Sequence, residues 1–146
     1  MLDEWRRNEA VPPLRRAWEE GTLLTGLSTG ALCWAGCGSG TAITVGGVDY
    51  EPVNGVKFID GLQLLVHAIP DSRAAFGEYL VRCGESGIAL ENNTALEITD
   101  GQWRILTASP TVYAHQLTSE NRGYTIDQLP QDGTFRPLPE FTNCTT

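Results

Sequence analysis

The chain has 146 residues, room for one domain with a sizeable core but not for two. Apolar residues make up 41% and charged ones 19%, a globular composition that excludes an intrinsically disordered chain. The net charge of −8, with its basic residues scattered, excludes a phosphate-gripping nucleic-acid binder; the acidic surface serves solubility.

Residues 2–9 and 12–20 carry apolar side chains at helical spacing, Leu2 and Trp5, then Leu14, Ala17 and Trp18. Pro12 and Pro13 suit the start of the second helix and Gly21 its end. The opening "MLDEWRRNEAVPP" has early acids and no apolar secretory core, and no later stretch is apolar enough to cross a bilayer, so a cytoplasmic location without membrane contact is expected. "TLLTG" reads as a short strand, Ser28 as a tight turn, and Thr29 to about Ala35 as a short helix. The glycine-rich "GCGSGTAITVGGVDYEPVNG" reads as an irregular surface loop with one strand at 42–45, placed where a substrate-covering element would sit.

"LQLLVHAIP" is a buried strand ending in His67. Asp71 or Ser72 caps the helix "SRAAFGEYLVRCGES", with Ala75, Tyr79 and Arg82 or Cys83 in register. After Gly87 the pattern changes to strands: "GIAL", then "TALEITDGQWRIL", whose Asp100-Gly101 is a hairpin signal, then "TVYAHQL". The prolines and turn residues of "PQDGTFRPLPEFTNCTT" predict a loosely attached tail. The whole reads as a single α/β domain with an antiparallel extension and no internal repeat.

Cys33, Cys37, Cys83 and Cys144 lack metal-ligand spacing and read as small buried thiols in a reducing compartment; no metal ion or organic cofactor is expected. "NNT" and "NCT" match a glycosylation sequon, which matters only in a secreted protein.

The chemistry centres on "GLSTG" at residues 26–30. In a G-x-S-x-G turn the glycines let strand and helix approach closely, and the serine hydroxyl projects at the helix start, where backbone N–H groups near Thr29 would support an oxyanion. A serine needs a base, and the chain has two histidines, His67 and His115. His67 ends an apolar strand, where open α/β sheets place their sites; His115 sits mid-strand and reads as a partly exposed structural residue. Glu91, just past "GIAL", is the first choice of carboxylate to orient His67, with Asp71 as the rival and Asp60 read as a turn residue.

These segments resemble the dipeptidase E and cyanophycinase family of serine peptidases. "GTLLTGLSTGALCW" resembles its nucleophile segment, G-x-S-A-G-x-x-C-W, and "LDEWRRNEAVPPLRRAWEEG" the helical stretch leading into it. The spacing from Ser28 to His67 fits, "GIALENNTALEI" matches the segment carrying the family's glutamate at Glu91, and "LTASPTVYAHQL" resembles its late strands. Departures are "STG" for "SAG" and "LVH" where proline usually precedes the histidine.

The resemblance implies a three-layer fold related to class I glutamine amidotransferases and a Ser-His-Glu peptidase acting on small peptides next to aspartate. It also implies that Arg73 meets a substrate carboxylate, where a plain helix-surface arginine is the alternative. Family members carry further N-terminal strands and a glycine-rich loop not found in this sequence, so an uncovered sheet face or edge is expected, and with it a homodimer or poor solubility. Two other functions stay open: an impaired homologue acting through a partner chain, and a glutamine amidotransferase-like domain, the latter weakened because Cys33 lies beyond the turn.

Overall fold

The computed structural model describes residues 1–44, 47–59 and 61–138, with 37–44 and 47–53 described by their backbone alone. Three short helices come first: α1 (Leu2–Arg7), α2 (Val11–Glu19) and α3 (Thr29–Leu32). Strands β1 (Cys37–Thr44), β2 (Gly47–Asn54) and β3 (Gln63–Val66) lead to helix α4 (Pro70–Cys83) and β4 (Ser86–Leu90). Then come β5 (Thr94–Thr99), β6 (Gln102–Thr107), β7 (Ala114–Glu120), β8 (Gly123–Gln128) and β9 (Arg136–Pro137). One sheet has the order β2-β1-β3-β4-β7-β8 and the other β5-β6-β9. The architecture is mixed α/β: β1, β3 and β4 run parallel, and the outer strands of the large sheet antiparallel.

The side chains of β3 and β4 explain their central place. Leu64, Ile88 and Leu90 join one apolar cluster, while Leu65 and Ala89 join another on the opposite face. Strands apolar on both faces need cover on both. Phe76 and Leu80 of α4 cover one side with Leu117 of β7. Leu32 of α3 and Trp103 and Ile105 of β6 cover the other.

Two glycines let α4 lie close to the sheet: a Cβ at Gly77 would stand 2.4 Å from the Tyr124 ring, and one at Gly87 2.5 Å from Phe76. Helix α4 is opened by Ser72, whose Oγ accepts from the Ile69 N–H at 3.0 Å and donates to the Ile69 carbonyl at 3.1 Å. The expected alternative cap, Asp71, is exposed in the first turn. Gly84 ends the helix at φ 69°, a left-handed cap.

Several expectations are corrected. The segment read as an irregular loop is the β1–β2 hairpin, paired from Cys37↔Asn54 to Thr44↔Gly47. Pro52 is tolerated because β2 is an edge strand. "TLLTG", expected as a strand, joins no ladder among the described residues. Strand β8 was not foreseen. Nor is the start of the tail loose: Gln131 Nε2 donates to the Val112 carbonyl at 2.8 Å and Trp103 Nε1 to the Pro137 carbonyl at 3.0 Å. Asp60, Cys144, the "NCT" sequon and the rest of the tail from 139 onward lie outside the described residues, as does the Cys37 side chain.

Helices α1 and α2 are held by aromatic stacking and arginine. Trp5 meets Trp34 at a ring separation of 5.9 Å, Trp34 meets Phe58 at 5.5 Å, and Trp18 stacks on Phe58 at 5.6 Å. Arg6 donates to the carbonyls of Asn54 and Gly55, and Arg15, 4.6 Å above the Phe58 ring, donates to Lys57. Phe58 is the shared member of this stack. Phe58→Ala is therefore expected to cost about 3 kcal/mol, read as a lowered urea midpoint; an unchanged midpoint contradicts this role.

Candidate active site

The turn at Ser28 is built by its neighbours. A Cβ on Gly26 would lie 2.3 Å from the Gly30 carbonyl oxygen and 2.6 Å from the Ala31 nitrogen, so only glycine permits this approach. Gly30 has open space around it, and its absent side chain serves no such packing need. Between them Ser28 takes φ 54° and ψ −126°, a backbone conformation that L residues rarely adopt and that costs about 1–3 kcal/mol. It stands at the N-cap of α3, and among the described residues the Thr29 N–H immediately after it donates to no acceptor.

His67 follows β3, and Glu91 and Asn92 follow β4, at the carboxyl ends of two adjacent parallel strands registered Val66↔Leu90. His67 also has a positive φ, 55°. The bend turns its ring so that Nε2 stands 2.7 Å from Ser28 Oγ, across 39 residues of sequence. Nδ1 meets the side-chain oxygen of Asn92 at 2.5 Å. An amide oxygen accepts here, so Nδ1 carries the hydrogen and Nε2 presents its lone pair to the serine.

Glu91, expected to hold His67, does not. Its Oε1 accepts from Arg73 Nη1 at 2.6 Å and its Oε2 from the Tyr113 N–H at 3.0 Å. Its own backbone N–H donates to the Tyr113 carbonyl at 3.1 Å, and its carbonyl accepts from Thr94 N–H and Oγ1. Glu91 thus ties α4, the approach to β7 and the start of β5 to one point, and the next residue reaches the imidazole. Arg73, expected to meet a substrate carboxylate, directs its Nη1 to Glu91.

The sequence reasoning did not single out Asn92, the residue after Glu91, whose side-chain oxygen meets His67 Nδ1. The signal present was "ENN", in which a carboxamide is as able as a carboxylate to accept from an imidazole N–H. Asp71, the rival carboxylate, lies in the first turn of α4.

His115 is more enclosed than expected. Its Nδ1 is buried without a hydrogen-bond partner, 4.0 Å from Glu91 Oε1. Burial and the neighbouring Arg73 guanidinium hold its pKa below 6.5, with Glu91 acting in the opposite sense. Burial also pushes the Cys33 thiol up, in keeping with an unreactive packed cysteine.

Ser28 and His67 open onto a cavity of about 570 Å³ between the 22–27 segment, β3 and β5. Its walls include Leu24, Trp34, Leu64, Leu96 and Ile98. A concave apolar space with a few convergent polar groups is the usual form of a ligand site.

Two outcomes follow from this geometry. Gly26→Ala forces backbone against backbone, and a loss of about 1–3 kcal/mol is expected, read by denaturant melts. For His115, the unfolded chain takes up a proton near pH 6.5 that the folded chain resists. Its contribution to stability is full above that pH and is lost as pH falls through the lower folded value. Urea midpoints should therefore fall on acidification from neutrality, and fall less in His115→Gln; equal slopes in both proteins contradict the assignment.

Among curated proteins, none matches this chain. The sequence model described as Peptidase family S51 matches residues 1–106, a span that holds Ser28, His67, Glu91 and Asn92. With that match covering most of its length, the chain belongs to peptidase family S51, the serine peptidases of the dipeptidase E and cyanophycinase type.

Proposed function

We propose that the chain is a serine-type peptidase of small peptides in which Ser28 is the nucleophile, His67 the general base and acid, and Asn92 the residue that orients His67. The observation that carries this reading is the 2.7 Å contact between Ser28 Oγ and His67 Nε2 on a strained turn. Ser28 Oγ attacks the scissile carbonyl carbon while its proton passes to Nε2. The Thr29 N–H faces the developing oxyanion. Collapse breaks the C–N bond, and the leaving amine takes the proton from Nε2. Water then attacks the acyl ester, gives its proton to Nε2, and the C–O bond breaks as the proton returns to Ser28.

The Ser-His-Glu triad implied by the family resemblance is replaced in this proposal by Ser-His-Asn. Glu91 is a positioning residue: it holds the turn from which Asn92 reaches the ring. The neutral amide fixes the tautomer but lends no negative charge to the imidazolium. An aspartate next to the scissile bond would need a cation, and the one expected to supply it, Arg73, is bonded to Glu91. The glutamine amidotransferase-like layering fits this reading, with α4 on one face of the large sheet and α3 with the β5-β6-β9 sheet on the other.

A second reading, an impaired homologue acting through a partner chain, is favoured by Leu23 and Leu27, 81% and 88% exposed on the unpaired 22–27 segment.

An ethyl fluorophosphonate separates the two. The peptidase reading expects covalent labelling of Ser28, abolished in Ser28→Ala and slowed at least ~100-fold in His67→Ala. Asn92→Ala should slow it about 10-fold, the worth of one strong hydrogen bond, and more than Glu91→Gln does. Folded protein that takes no label favours the partner-chain reading, and a larger effect of Glu91→Gln than of Asn92→Ala restores glutamate as the third member.

A further inference from the structure

Leu24, Leu27, Leu64 and Val66 give the cavity aliphatic walls, joined by Leu96 and Ile98 of β5. Among the described residues lining the cavity, none is lysine or arginine. Its two charged walls are both carboxylates, Glu91 and Glu97, already paired with Arg73 at 2.6 Å and Arg104 at 2.8 Å. Arg15, whose guanidinium lies 4.6 Å above the Phe58 ring, donates to the Lys57 carbonyl at 2.9 Å. A carboxylate entering this space would give up water and meet no cation among the lining residues, an unfavourable exchange.

A second feature runs along the same cavity. Leu23 to Gly26 belong to no helix, strand or turn, and among the described residues their backbone N–H and carbonyl groups make no hydrogen bond. Such an edge takes an added strand, and it leads directly to Ser28.

We infer that an extended peptide pairs with the Leu23–Gly26 backbone and places a large apolar side chain, not an acidic one, in the cavity beside Ser28. This rests on the serine-peptidase reading above and deepens it to a substrate class. Backbone pairing sets the register of the peptide, and the cavity selects its side chain. The volume of about 570 Å³ accommodates an aromatic or branched aliphatic group. Leu27, 88% exposed and next to the nucleophile, is the wall at which charge selectivity is most simply reversed.

The test compares a butyl with a carboxypropyl fluorophosphonate, alike in length and differing in the terminal charge. In each, Ser28 Oγ bonds to phosphorus, fluoride leaves, and the hydroxyl proton goes to His67. The butyl reagent is expected to label Ser28 at least ~10-fold faster. In Leu27→Arg that ratio should shrink or invert, because a guanidinium then meets the carboxylate.

Equal rates, or faster labelling by the anionic reagent in the unaltered chain, overturn the substrate class while leaving the nucleophile in place. A ratio unmoved by Leu27→Arg overturns the cavity as its source. If folded protein reacts with neither of these nor with the ethyl reagent, the peptidase reading itself fails and takes this proposal with it.

Discussion

The backbone of Gly26 passes the carbonyl of Gly30 so closely that a methyl group would overlap it, and the turn that carries Ser28 depends on that contact. It folds the chain from the 22–27 segment straight into α3 and forces Ser28 into φ 54° at the apex. A relaxed turn would let the hydroxyl swing among rotamers and lie along the surface. The strained one projects it toward the end of β3, where His67, also at positive φ, turns its ring to meet it. Both strained residues lie beyond the ends of regular elements, where the surrounding packing over-determines the backbone.

The second constraint is the ion pair that is absent from the reacting atoms. Arg73 and Glu91 have side chains only 16% and 22% exposed, so their pairing is sheltered from solvent screening as surface pairs are not. Glu91 also takes the Tyr113 N–H, and its carbonyl takes Thr94. Together these bonds define the turn between β4 and β5 and so the reach of Asn92. A charged residue one position from the imidazole thereby acts on it through the backbone. The arrangement separates two tasks that an Asp or Glu partner usually combines: Asn92 orients the ring, while the carboxylate braces the loop.

The site's mouth differs in character from its floor. The mouth is polar, with Ser28, His67 and Asn92 in one hydrogen-bonded line whose His67 and Asn92 are exposed, while the buried Leu62, Leu64 and Leu90 line the interior. The walls are aliphatic and aromatic, and the 22–27 segment leaves its backbone groups open beside them. Peptide chemistry suits both halves, since a main chain can pair with that edge while a side chain fills the space.

Much of this was legible in the chain itself. The apolar runs of "LQLLV" and "GIAL", the Asp100-Gly101 hairpin with φ 48° and 70°, and the G-x-S-x-G turn each depend on composition and local sterics, which a sequence carries openly. The position of His67 can be read in the same way, because strand ends lie where apolar runs stop, and the structure brings its Nε2 within 2.7 Å of Ser28 Oγ. The pairing of β1 with β2 was hidden because glycine-rich strands lack a side-chain pattern. The 22–27 segment misled for the opposite reason: it has a strand's composition, but a strand exists only when another backbone accepts its hydrogen bonds. The exchange of Glu91 for Asn92 was decided by tertiary structure alone. Which of two adjacent side chains turns toward His67 depends on where Arg73 and the Tyr113 amide lie, and those arrive from 18 and 22 residues away.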